Sequence, residues 1–328
     1  MTFGKVVMTT LKILAVCLVF ALCLTLGGAL SGLSKAAQEA TPSTSSLQAP
    51  SGQRIPSPPS NAPANHAPSQ RPENFLYPFL IVSVSVGVVL AYLILRSSWR
   101  GWPLVGAIFV GIYGISTVAS QVESLFFLSN KLPPRLIPAL FLQGAIAAAL
   151  FAPLAVLLMG KWRTASPALV ASSPGRLHAS SIITRLAVIV VAFVFLYSFF
   201  GYFVAWQNPA LRQYYGGQEY SSFYAATKAN WMHMRWLYPL QVFRALLYVV
   251  CMYPLIRMLR VARWEKALAM ALFLSAWTTL LLLPNPLMPP DVAYAHFRET
   301  LGFSIVFGGL AGWLLSQPPN TVASVTTS

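Results

Sequence analysis

Eight long apolar blocks, separated by short charged or turn-rich stretches, organise the chain: 13–33, 75–95, 102–127, 136–159, 186–206, 237–256, 267–283 and 300–315. Each reaches or approaches the roughly 20 residues that a helix needs to cross a hydrocarbon core. Within a block the apolar character is continuous, without the strand-period alternation of a membrane barrel, so helices are expected. The expected fold is therefore all-α, a polytopic transmembrane helix bundle of about eight spans.

The polar intervals divide the chain further. Residues 1–33 form a first transmembrane helix or a signal peptide. Lys5 and Lys12 precede its apolar run and the small residues around Ser34–Ala37 follow it, so cleavage would leave seven spans. Gly28 and Gly32 give a G-x-x-x-G pair within this segment. Residues 34–74 change abruptly to Pro, Ser, Ala, Gln and Asn, a composition with too little apolar surface to offset ordering entropy. That stretch is expected to be a disordered extracytoplasmic linker. Residues 75–316 form the seven-helix remainder, carrying an aromatic loop at 207–236. Residues 317–328 are an expected disordered cytoplasmic tail. In the loop, Gly216-Gly217 breaks the chain, and Tyr220, Phe223, Tyr224, Trp231 and Met234 then recur near helical spacing, as in an interfacial amphipathic helix.

Charge gives direction. Only 9% of residues are charged and 56% are hydrophobic, too little polarity to cover a water-facing surface. The net charge of +15 would fit nucleic acid in a soluble protein, but no recognition motif accompanies it. The basic residues instead follow the positive-inside rule. With the N-terminus inside, one face receives Lys5, Lys12, Arg96, Arg100, Lys161, Arg163, Arg176, Arg185, Arg257, Arg260, Arg263 and Lys266, with Glu265 as the lone acid. The opposite face mixes its basic residues with Glu39, Glu73, Glu219 and Asp291 over far more chain. The expected location is the plasma (inner) membrane, with both termini cytoplasmic.

Ionisable groups inside apolar helices are costly, and each is a default functional candidate. Glu123 follows Tyr113, Ser116 and Ser120 at spacings that share one α-helical face. Arg244 lies two turns into the sixth block with Gln241 one turn before it, and Glu123 or Glu299 is at the right depth to pair with it. His296 and Glu299 are spaced i, i+3, suiting a proton relay or a polar helix start stabilised by the dipole. Gln143 completes the candidate set. All six fall in the outer third of the expected bilayer, above inner halves that are nearly all aliphatic, which suggests a polar pocket open only to the outside.

The remaining chemistry is quiet. Cys17, Cys23 and Cys251 have no metal-ligand spacing, and no second His or Cys completes a site around His296, so no metal is expected. There is no P-loop, dinucleotide fingerprint, serine-hydrolase elbow or zincin motif, and no cofactor is expected. The expected partners are the lipid bilayer and a membrane or envelope protein, with no nucleic acid and no statement on oligomeric state. The reading that fits best is a non-enzymatic membrane component with an outward polar pocket. The alternatives are a small-solute transporter or channel, and a membrane-embedded enzyme acting on a lipid-linked or extracytoplasmic substrate.

Overall fold

A computed structural model describes residues 3–33, 35, 75–128, 132–163, 179–285 and 288–316. The linker expected at 34–74 and the tail at 317–328 lie outside the described residues, apart from Lys35. Helices account for the ordered elements: α1 Phe3–Leu30, α2 Leu76–Arg96, α3 Gly101–Ile112, α4 Ser120–Leu128, α5 Leu136–Leu158, α6 Ala179–Phe200, α7 Pro209–Tyr215, α8 Phe223–His233, α9 Leu237–Met258, α10 Arg263–Thr278 and α11 Pro290–Leu315. A π-helical turn, Tyr113–Ala119, joins α3 to α4, and a second, Gly201–Ala205, extends α6. Among the described residues the only strand-like feature is an isolated bridge between Ser97 and Leu259.

Among the described residues, seven helical stretches are long and apolar enough to cross a membrane. The chain is thus a multi-pass membrane protein. The last expected span differs from the sequence reading: α11 starts at Pro290, ten residues before 300, and its first part carries Asp291, Arg298 and Glu299. Those charges dilute the apolar run. Its 26 residues still extend about 39 Å at 1.5 Å per residue, and it packs antiparallel against α10, from Ala271 by Gly308 to Arg263 by Trp313. The close approach is made by glycines: a Cβ on Gly308 would lie 2.7 Å from the Met270 carbonyl oxygen, and one on Gly312 2.9 Å from the Ala267 Cα.

The core is a continuous apolar cluster threading α1, α2, α3, α5, α6, α9, α10 and α11. Its largest fully enclosed side chains are Phe151, Phe193, Phe273 and Phe307. The first helix is built into this cluster: Phe20 meets the edges of Phe151 and Trp277 at 5.4 and 5.8 Å. Its small-residue contact differs from the expected pair. Gly32 lies beyond the helix at φ +69° with open space around it, whereas Gly27 faces the Gln143 carbonyl and Ala147 of α5. A helix ends where Gly turns left-handed, so the second member of the pair never reaches the interface.

Lipid-facing positions keep their oily side chains exposed, as the row Leu11, Leu14, Leu18, Leu22 and Leu26 of α1 illustrates. The bundle's two ends are chemically unlike. One end gathers the helix termini bearing Lys12, Arg96, Lys161, Arg185, Arg257 and Arg263. Here Arg96 pairs with Glu265 at 2.9 Å, which also accepts the Tyr92 hydroxyl at 2.7 Å. Lys161 Nζ donates to the Ser97 carbonyl, and burial together with nearby Arg100 lowers its pKa. Arg263 stacks 4.2 Å over the Trp313 ring while donating to the Trp313 carbonyl. The other end holds the aromatic cap with Glu123, Glu219, Asp291 and Glu299.

Candidate functional site

The site begins with a local change of helix type. Along an uninterrupted α-helix, Tyr113, Ser116, Ser120 and Glu123 share a face. The π turn at Tyr113–Ala119 replaces i→i+4 bonding with a wider turn, and the face is lost: Ser120 becomes exposed while Thr117 and Gln121 turn inward. Two tight packings accompany the turn. Gly114 leaves no room for a Cβ against Cys251 of α9, and Gly144 of α5 leaves none against Thr117. π turns of this kind are frequent at functional sites. Here the turn itself packs against α9, through Gly114 on Cys251, and against α5.

That packing brings Glu123 to Arg244. The Arg244 guanidinium donates to Glu123 Oε2 at 2.6 Å and, through its other terminal nitrogen, to Gln241 Oε1 at 2.9 Å. It also lies 5.9 Å from the centre of the Phe193 ring. Burial of the two partners is unequal: the Arg244 side chain is 7% exposed and that of Glu123 37%. A guanidinium in this setting needs its carboxylate, because an unpaired buried charge costs several kcal/mol. Two donors stay unmatched by any described protein acceptor, Arg244 Nε and Gln241 Nε2. A buried donor left without a partner costs about 1–3 kcal/mol.

A second constellation stands on α11. His296 Nδ1 is 2.9 Å from Glu299 Oε2, and its Nε2 is 3.0 Å from the Tyr215 hydroxyl. Burial, with Glu123 close by, pushes the Tyr215 phenol well above its ordinary range, so it remains protonated. Every proton then has an acceptor when Tyr215 donates to Nε2 and Nδ1–H donates to Glu299. The result is a carboxylate–imidazole–phenol chain. It corrects the helix-dipole reading of Glu299, since α11 begins more than two turns earlier and Glu299 lies beyond its first turn.

Tyr215 reaches this position because α7 is stopped sharply. Asn208 caps its start by accepting from the Ala210 and Leu211 amides, and Gly216 at φ +68° ends it immediately after Tyr215. The segment is anchored by Leu211, packed with Ala205, Val292 and Ala295. Beyond it α8 begins at a Ser222 cap, and exposes Tyr224 and Trp231 near Trp236. The loop expected to be amphipathic is thus two short helices broken at Gly216-Gly217.

The two constellations adjoin. Tyr197 of α6 lies within electrostatic reach of Glu123, Glu299 and Arg244, and the Phe127 and Tyr215 rings meet at 6.3 Å. The structure therefore groups Glu123, Gln241, Arg244, His296 and Glu299 at one end of the bundle. Gln143 is placed elsewhere, its amide beside Gly28 in the α1–α5 interface. Near that interface an open groove of about 320 Å³ is lined by Ser31, Pro134, Arg135, Pro138, Ala139 and Leu142, and by none of the five grouped residues. Sequence reasoning missed Tyr215, Tyr197 and Gln121. The Gly216 stop after Tyr214-Tyr215 was the one local signal for Tyr215. Among the described residues no group of three or more His, Cys, Asp or Glu could hold a metal ion, and the three cysteines are free and buried.

Comparison with known protein families, curated proteins and solved structures gives no match.

Proposed function

We propose that this chain is a non-enzymatic component of the plasma (inner) membrane that engages a ligand or envelope partner from the extracytoplasmic side, through the polar cluster around Arg244. One observation carries the reading: the Glu123–Arg244 and His296–Glu299 pairs stand towards one end, the basic groups around Arg96 and Lys161 stand at the other, and the depth between them is filled by enclosed apolar side chains such as Phe151, Phe193, Phe307, Leu90 and Met252. A transporter or channel needs polar positions through the whole depth. The densely basic end is assigned to the cytoplasm by the positive-inside rule, which puts both termini there and the Arg244 cluster outside. Counting α11 as the eighth crossing completes that alternation.

The test uses cells lacking the native copy. Glu123→Gln and Arg244→Gln are expected to abolish the phenotype of the restored gene at normal protein levels, and reconstituted vesicles are expected to show no solute flux. Normal behaviour of both variants would end the assignment of the site. A second reading is favoured by the Tyr215–His296–Glu299 chain, which orients an imidazole as a general base does. In that reading the chain is an enzyme acting on a lipid-linked or extracytoplasmic substrate, and His296→Gln removes turnover while leaving ligand binding intact.

A further inference from the structure

Arg244 and Gln241 sit one turn apart on α9 and are held together by their own hydrogen bond. Arg244 Nε and Gln241 Nε2 nevertheless have no described protein acceptor, although the two residues are only 6% and 0% exposed. Enclosed donors are regularly paired. Two such donors on one rigid Arg–Gln unit suit an oxygen ligand, and a charged oxygen best of all.

The surrounding charge restricts which ligand fits. Beside the Arg244 guanidinium stand its partner Glu123 and, bonded to His296 and sharing Tyr197 as a neighbour, Glu299. A simple anion meets two like charges, and a simple cation meets Arg244. A ligand with both signs matches both halves. Glu123 is suited to the positive half: its bond to Arg244 uses Oε2, and its side chain is 37% exposed. The cluster also lies about two turns in from the starts of α9 and α11, below a cap that exposes Tyr224, Trp231 and Trp236. Aromatic rings of this kind mark headgroup depth.

We infer that the cluster binds a zwitterionic phosphodiester headgroup of the phosphoethanolamine type, with a phosphate oxygen on Arg244 Nε and Gln241 Nε2 and the ammonium against Glu123. This rests on the outward-facing reading above. The same chemistry occurs in a bilayer aminophospholipid and in water-soluble glycerophosphoethanolamine.

The full chain, purified in mild detergent, is titrated with short-chain phosphatidylethanolamine, short-chain phosphatidylglycerol and glycerophosphoethanolamine, following thermal unfolding. Phosphatidylethanolamine is expected to stabilise the protein saturably, and at about tenfold lower concentration than phosphatidylglycerol. Gln241→Leu is expected to weaken that binding about tenfold, as loss of a bond to a charged acceptor does. Gln143→Leu, at the α1–α5 interface, leaves it unchanged. Glu123→Gln is expected to reverse the preference towards the anionic lipid, which a merely structural carboxylate would not do. Equal or better binding by glycerophosphoethanolamine supports the same site with a soluble source. Equal binding of the two lipids by the native chain, or a Gln241→Leu curve identical to it, overturns the inference. Should phosphatidylethanolamine fail while Glu123→Gln and Arg244→Gln still abolish the phenotype, the ligand class falls and the outward site stands.

Discussion

Replacing Glu123 by Gln keeps the size of the side chain and removes its charge. Arg244, 7% exposed, then keeps a full positive charge among the Gln241 amide, the Phe193 ring and the Tyr197 and Tyr248 phenols. Breaking one partner of a buried pair costs about 3–5 kcal/mol. Glu123 is 37% exposed, so water can enter where its carboxylate was, and the lower end of that range, about 3 kcal/mol, applies. Arg244→Met removes the enclosed charge, lets Glu123 hydrate, and strands Gln241 Oε1, for about 2 kcal/mol. The double variant contains no unpaired charge, so it should cost about 3 kcal/mol, leaving a coupling of about 2 kcal/mol between the positions. Unfolding by SDS titration in mixed micelles, where transitions are reversible, supplies the four free energies. Additivity of the two single costs within about 0.5 kcal/mol would refute the pairing.

Gly308→Ala should destabilise by about 1–3 kcal/mol, because its Cβ would meet the backbone of Met270 and Ala271. Gly309→Ala, with open space around it, should be neutral or stabilising by up to about 1 kcal/mol in the same titration; equal losses for the two would contradict the α10–α11 packing. Tyr215→Phe removes the bond to His296, and should cost about 1 kcal/mol and speed proteolysis at Arg212 from the outer side. Impermeant maleimide should label Trp231→Cys and not Trp264→Cys in intact cells; the reverse pattern would invert the orientation.

The sequence by itself determined that apolar helices cross a bilayer and roughly where each lies. These are partition properties: whether about 20 successive side chains prefer lipid is decided residue by residue along the chain, with no reference to neighbouring helices. Of the six candidate residues the sequence proposed for one pocket, the structure groups five and leaves Gln143 in the α1–α5 interface. The small-residue pair at Gly28 and Gly32 was misread, because a left-handed turn at Gly32 lies beyond the helix end. Only the tertiary structure decided which acid Arg244 meets. Glu123 and Glu299 offer similar depth, and the choice was made by a π turn that rotates α4 and by α7 delivering Tyr215 to His296 across a long stretch of chain. Between helices in lipid there is little hydrophobic preference to fix rotation, so close packing and polar pairing set it together. Neither leaves a period in the sequence.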